Sequence, residues 1–191
     1  MSPLLAPEAI ASHHYFDHDF DMAAVKLMPM QYFVTDKEMA LTTVLGSCVA
    51  ACLHDRVAGV GGMNHFMLPD EGNHGVSDDL LKEHVISIDG RKSKQDMRYG
   101  TYAMEVLLQQ LERAGAHCDR LEAKVFGGGA VLENRGTLNI GDRNAEFILR
   151  FLRLKNISVV AQNLGGQLPR RVTYFPKTGV AMMRVLHRKD D

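Results

Sequence analysis

Nowhere is this chain apolar for the roughly 18 residues a membrane-spanning helix needs, so insertion into a bilayer is not expected. An excess of one charge is missing too: 22 basic and 23 acidic residues leave a formal net charge of −1. So balanced a chain makes no general demand for nucleic acid or an anionic membrane as a partner. Cysteines are few and odd in number, three in 191 residues, which excludes a disulfide framework. The N-terminus lacks the basic start and apolar core of a secretory signal. Internal repeats, low-complexity segments and the Cys/His spacing of a structural zinc site are also absent. Together these absences point to a reducing cytoplasm, where a free thiol survives, and nothing in the sequence calls for a metal or organic cofactor.

What the chain does have is enough apolar material, 46%, for one sizeable core. Residues 1–23 read as a flexible leader, carrying His13, His14 and His18 among Asp17, Asp19 and Asp21. These are ligand types for a metal, but a solvated tail is the plainer reading. Ala24–Thr35 reads as strand broken at Pro29, and Leu41–Leu45 as a strand rich in β-branched residues. The polar stretch 70–95 reads as a long loop, with His74 and His84 exposed. Helical spacing is clear over Tyr99–Ala114, with Asp96 a candidate cap, and over Asp142–Lys155. Strands are expected at Leu121–Phe126 and Ile157–Ala161, and a hairpin from Arg171–Phe175 and Gly179–Leu186 around Pro176–Gly179. Strands followed by strand–helix alternation define an α+β layered fold in a single domain over 24–187, with 188–191 a charged tail.

The chemistry concentrates in Leu45–Asp55 (LGSCVAACLHD) and Gly59–Pro69 (GVGGMNHFMLP). Cys48 follows a Gly46–Ser47 turn, and His65 comes 17 residues later in an apolar run. Met63, His65 and Met67 alternate onto one face of a strand. A hairpin through Asp55–Gly59 would bring Cys48 and His65 together, the minimum for a thiol nucleophile with an imidazole base. Val49–Leu53 is too short for periodicity to separate helix from strand. A helical start at Cys48 is preferred, because the unpaired N–H groups of a helix N-terminus stabilise a thiolate. Cys52 reads as buried filler, and adjacent His117 and Cys118 do not reliably face each other. Gly127–Gly129 lacks the Lys-Ser/Thr of a phosphate loop and reads as a tight turn or a close backbone approach to substrate. Asn134, Asn139 and Asn144 read as turn and cap residues around the second helix.

The LGSCVAACLHD and GVGGMNHFMLP blocks resemble the signature of the CheD family, chemoreceptor glutamine deamidases of bacterial chemotaxis. Later blocks follow in that family's order: Arg98–Gly100 (RYG), Ala123–Gly129 (AKVFGGG), Asn139–Asn144 (NIGDRN), and Leu164–Val172 (LGGQLPRRV) with Pro176–Gly179 (PKTG). The resemblance implies an α/β/β sandwich of mixed, largely antiparallel sheets, related to the cytotoxic-necrotizing-factor type of cysteine deamidase. It implies Cys48 as nucleophile and His65 as general base. Thr42, six residues before the cysteine, carries over as the group that orients the imidazole. Thr43 is its neighbour, and on an alternating strand only one of the two faces Cys48. Backbone N–H groups of the Gly46–Ser47–Cys48 turn are oxyanion candidates. Implied partners are the cytoplasmic helices of chemoreceptors and a CheC-type phosphatase. The implied reaction converts receptor glutamine to glutamate with release of ammonia; the alternatives are an adaptor with little catalysis and a different cysteine amidohydrolase or transglutaminase. Asn163 stands where relatives of this type often carry an acidic residue.

Overall fold

Seven consecutive buried residues, Val49–Asp55, run through the middle of the molecule. No amphipathic helix buries every side chain it has, so this pattern requires cover on both faces, and a central strand supplies it. The computed structural model describes residues 9–69, 97–130 and 139–187. Its elements are β1 (His13–Asp17), β2 (Met22–Lys26), β3 (Gln31–Thr35), β4 (Ala40–Leu45), β5 (Val49–Asp55), β6 (Val60–His65), α1 (Gly100–Arg113), β7 (Leu121–Gly127), α2 (Ile140–Leu154), β8 (Ser158–Leu164), β9 (Arg170–Phe175) and β10 (Val180–Val185).

The strands form two five-stranded sheets. The inner sheet has the order β3-β6-β5-β7-β8 and the outer sheet β1-β2-β4-β9-β10. Pairing is antiparallel except for β2 with β4 and β7 with β8. Both helices lie on one face of the inner sheet, and the outer sheet covers the other face. Alternate residues of β5 therefore feed two cores. Val49, Ala51 and Leu53 pack with Leu107, Phe147 and Phe151 of the helices. Ala50 and Cys52 pack with Leu41, Leu45, Val172 and Tyr174 between the sheets. The helices are fastened to each other by a largely buried ion pair, Lys155 Nζ to Glu105 Oε1 at 2.8 Å.

The order of elements matches the layered α+β expectation, and two local readings are corrected. Val49–Leu53 is strand rather than helix. It pairs with β7 along its whole length and with β6 over Cys52–Asp55, and this tertiary pairing outweighs any local helical preference. Residues 13–17, expected in a free leader, form β1 and pair in register with β2, Tyr15 opposite Ala24. Polar His and Asp side chains suit that place, because β1 is an edge strand. Pro29 does break the strand: β2 and β3 on either side of it join different sheets. The N-cap position of α1 is Tyr99. Asp96, His74, His84 and the loop expected over 70–95 lie outside the described residues, as does Asn134.

Candidate active site

β4 belongs to the outer sheet and β5 to the inner one, so Gly46–Ser47–Cys48 is the point where the chain crosses between layers. Three carbonyls of this crossing are held from one side. Gly46 O accepts from Gly129 N–H at 2.8 Å, and Cys48 O from Gly128 N–H at 2.8 Å. Ser47 O accepts from Asn144 Nδ2 at 2.9 Å. A trans peptide points its N–H opposite its carbonyl, so the Ser47 N–H faces away from Gly129 and the Cys48 N–H away from Asn144.

Only glycine permits that cradle. Gly127 has φ +112°, and a Cβ there would stand 2.0 Å from Cys48 O. A Cβ at Gly141, in the first turn of α2, would stand 2.4 Å from Gly129 O. The helix therefore butts directly against the loop, and Asn139 caps it by accepting from Asp142 N–H at 2.8 Å. The triple glycine makes its close approach to the chain's own crossing at Gly46–Cys48, where the sequence suggested a tight turn or an approach to substrate.

The β5–β6 hairpin forms through Asp55–Gly59. Buried Asp55 fixes the turn by accepting from Val57 N–H (2.9 Å), Ala58 N–H (3.1 Å) and the Arg120 guanidinium. At its far end, Val49 and Phe66 exchange both main-chain hydrogen bonds, at 3.1 and 3.0 Å. That register sets Cys48 opposite Met67 and His65 opposite Ala50, with Cys48 and His65 on the face turned toward the outer sheet. They are diagonal neighbours of an antiparallel pair, within side-chain reach.

His65 is 2% exposed. Its Nδ1 lies 2.8 Å from Thr43 Oγ1. The same hydroxyl donates to the carbonyl of Leu27 at 2.9 Å. A hydroxyl has one proton, and the carbonyl can only accept it, so Thr43 Oγ1 is the acceptor toward His65. Nδ1 therefore carries the imidazole proton. Nε2 carries the lone pair, and it is buried without a hydrogen-bond partner among the described residues. Burial also pushes the pKa of His65 down to about 4, so the ring is neutral near pH 7. The Cys48 thiol is half-buried, and burial raises its pKa, with its own backbone N–H pulling the other way. The resting pair is accordingly a neutral thiol beside a neutral imidazole, not an ion pair.

Thr42, expected to orient the imidazole, does not meet it. Its hydroxyl lies 3.0 Å from that of Tyr15 on the other face of β4. The partner of His65 is Thr43, because Leu41, Thr43 and Leu45 are the residues of β4 that alternate inward. The sequence weighed the two threonines as exclusive candidates, and nothing local separates them; the register of β4 against β9, Thr43 opposite Val172, does. Sequence reasoning missed Asn144 as a site residue. Its side chain is fully buried beneath the crossing rather than serving as a cap. A polar residue in the middle of the second helix's apolar stripe was the available signal.

The other cysteines are apart from this site. Cys52 is buried between the sheets, and burial raises its pKa far above the usual thiol range. Cys118 donates to Glu112 Oε1 at 2.8 Å, not to His117. Arg170 is buried next to the glycine cradle. Its Nη1 donates to Asn163 O at 2.8 Å and to Asn163 Oδ1, and its Nη2 to the carbonyl of Gly165. Among the described residues, no group of three or more His, Cys, Asp or Glu side chains is arranged to hold a metal ion, and no helix is long and apolar enough to cross a membrane.

A thiol on a strand-crossing turn, faced by a neutral histidine whose tautomer is fixed, defines a thiol–imidazole site on a two-sheet α+β frame. Comparison with known proteins agrees with the signature blocks. Residues 81–185 match the family described as "CheD chemotactic sensory transduction". A "Probable chemoreceptor glutamine deamidase CheD" of Cupriavidus metallidurans is 56% identical over 185 residues, covering 97% of this chain and 78% of that protein. The protein of the same name from Cupriavidus pinatubonensis is 57% identical over 185 residues, 97% of this chain and 79% of its own length. One from Thiobacillus denitrificans is 49% identical over 179 residues, 94% and 82% of the two chains. The chain belongs to the CheD family.

Proposed function

We propose that this protein is a protein-glutamine deamidase acting on the cytoplasmic helices of chemoreceptors, with Cys48 as nucleophile, His65 as general base and acid, and Thr43 as the residue that orients the imidazole. The observation that carries the reading is the Leu27–Thr43–His65 relay, which leaves Nε2 unprotonated and without a partner among the described residues, on a strand where His65 is the diagonal neighbour of Cys48. The relatives named as chemoreceptor glutamine deamidases supply the substrate class.

The chemistry follows from the protonation states. As the sulfur attacks the carboxamide carbon, its proton passes to His65 Nε2. The C–S bond forms, and the carbonyl electrons move to oxygen. The N–H groups of Ser47 and Cys48, turned away from Gly129 and from Asn144 respectively, receive that oxyanion, a donor pair of the kind worth roughly 3 kcal/mol per group. Collapse of the intermediate breaks the C–N bond, and the imidazolium returns its proton to the departing ammonia. Water then attacks the thioester with His65 again as base, giving glutamate and the free thiol. Thr43 accepts from the imidazolium without offering a negative charge, so the positive intermediate is less stabilised than beside a carboxylate, and turnover is modest.

The same proposal places the protein in the cytoplasm, with one catalytic domain that takes in β1 and so runs over 13–187 rather than starting at 24, related in fold to the cytotoxic-necrotizing-factor deamidases, and with a CheC-type phosphatase as a further partner. The test is mass spectrometry of a purified receptor cytoplasmic fragment incubated with wild type and with Cys48→Ala. A gain of about one mass unit at particular glutamines, absent with the variant, is expected. Intact receptor binding with no conversion by wild type overturns the enzyme reading and leaves an adaptor.

A further inference from the structure

We infer that Asn144 is a positioning residue that sets the spacing between Cys48 and His65; the inference rests on the site assignment above. The antiparallel ladder that carries the two residues does not run on past them. The last main-chain exchange is between Val49 and Phe66. One more rung would join Ser47 to Leu68, two positions further along each strand. It is not made: the N–H of Leu68 donates instead to Arg98 O at 2.8 Å. The carbonyl of Ser47 is taken by the side-chain amide of Asn144, Nδ2 to O, at 2.9 Å. The second proton of that amide goes to Met67 O at 2.8 Å. A single planar NH2 thus replaces a rung of the sheet. It bridges the residue before the nucleophile to the residue facing the nucleophile across the hairpin.

Both acceptors are carbonyls, so the orientation of the amide is fixed by chemistry: only its nitrogen can face them. Its oxygen is buried with no hydrogen-bond partner among the described residues. An amide that leaves half its capacity unused in a fully buried place is there for the other half. α2 holds it at a set height, because Gly141 in the same helix rests on the glycine cradle. The separation of the two strands at Cys48 is therefore measured from a rigid helix rather than left to a frayed ladder end.

The test uses the full-length protein with Asn144→Ala and Asn144→Asp. Folding is read by near-ultraviolet circular dichroism, turnover on the receptor fragment by mass spectrometry, and iodoacetamide alkylation at the Cys48 peptide as a function of pH. For folded Asn144→Ala we expect kcat lower by about a hundredfold with KM changed by less than about threefold, as a misplacement near 1 Å costs. The pH midpoint of alkylation shifts, since His65 no longer stands at a fixed distance from the thiol. In Asn144→Asp a carboxylate faces the two carbonyls with no proton to give, so turnover recovers as pH falls and the carboxyl protonates. A lower melting temperature with kcat and alkylation midpoint both as in wild type assigns Asn144 a merely structural role and overturns the inference. So does failure of both variants to fold. If wild type itself converts no receptor glutamine, the deamidase reading falls, and the alkylation midpoint still decides the role of Asn144.

Discussion

Replacing Thr43 by valine keeps the shape of the side chain and removes one oxygen. That oxygen serves two buried groups at once, the Leu27 carbonyl at 2.9 Å and His65 Nδ1 at 2.8 Å. Leaving a buried polar group unpaired costs about 1–3 kcal/mol, so Thr43→Val should lose about 2 kcal/mol of stability, or roughly 6 °C of melting temperature for a chain of this size. The catalytic effect is separate. Without an acceptor beside Nδ1 the imidazole is free to place its proton on Nε2, where it can no longer take one from the thiol. Each 1.4 kcal/mol of lost tautomer preference is tenfold in rate, and we expect kcat to fall between about tenfold and a hundredfold. Thr43→Ser restores the hydroxyl and should recover most of both losses. Thr42→Val is the control: among the described residues its hydroxyl meets only that of Tyr15, so the cost should stay below about 1 kcal/mol and kcat within about twofold of wild type. The assays are urea unfolding, conversion of receptor glutamine followed by mass, and nitrogen NMR shifts of the His65 ring, which report the tautomer directly. A Thr43→Val protein with wild-type kcat and an Nδ1-protonated ring would refute the reasoning, as would a large loss of kcat in Thr42→Val alone.

Three other outcomes are expected. His65 binds a proton in the unfolded chain near pH 6.5 but in the folded one only near pH 4. Between those values the unfolded state holds more protons, so stability falls as pH drops from 6.5 to 4, by about 3 kcal/mol from this group. Urea melts of wild type and His65→Gln across that window check it, and equal slopes for the two would count against it; the acid limb of kcat/KM should likewise lie near pH 4 and not 6.5. Gly127→Ala puts a Cβ 2.0 Å from Cys48 O at a positive φ, and should destabilise by at least about 3 kcal/mol while displacing Cys48. A folded, fully active Gly127→Ala would show the cradle to be dispensable. Asn163→Asp gives the buried Arg170 guanidinium an anionic partner at the position where Asn163 Oδ1 already accepts from it, and should raise stability by about 1 kcal/mol in urea unfolding at pH 7; no gain would mean that the surrounding carbonyls already satisfy the cation.

Much of the frame was legible because the relevant signals are local. The 3.6-residue repeats of Tyr99–Ala114 and Asp142–Lys155 gave both helices within two residues of their observed ends. The Pro176–Gly179 turn located the β9–β10 hairpin. Cys48 and His65 were legible as a pair because a hairpin needs only the turn Asp55–Gly59 between them. What failed was non-local. Val49–Leu53 looks the same in sequence whether it pairs with two neighbours or coils, and only β6 and β7 decide the matter. His13–Asp17 reads as tail because its polar side chains suit solvent, and they suit an edge strand equally well. The choice between Thr42 and Thr43 turns on which face of β4 meets the inner sheet, a fact set by β9, about 130 residues away in the chain.

That pattern has a consequence for the site itself. Cys48 and His65 sit on neighbouring strands of one sheet, yet neither is held in its reactive state by that sheet alone. The proton on His65 is placed by Thr43 from the outer sheet, through a hydroxyl whose own proton is tied to Leu27. The turn bearing Cys48 is held by backbone groups after β7 and by a side chain of α2. All three layers must dock before the thiol meets an unprotonated nitrogen. A partly folded chain, with the β5–β6 hairpin formed but the outer sheet undocked, would present a hydrated imidazole titrating near pH 6.5 and a thiol with no fixed base. Reactivity of Cys48 is thereby coupled to completion of the sandwich, so mild denaturant that loosens the outer sheet should abolish turnover before helix content falls; loss of activity and far-ultraviolet signal at the same urea concentration would show instead that the layers unfold as one unit.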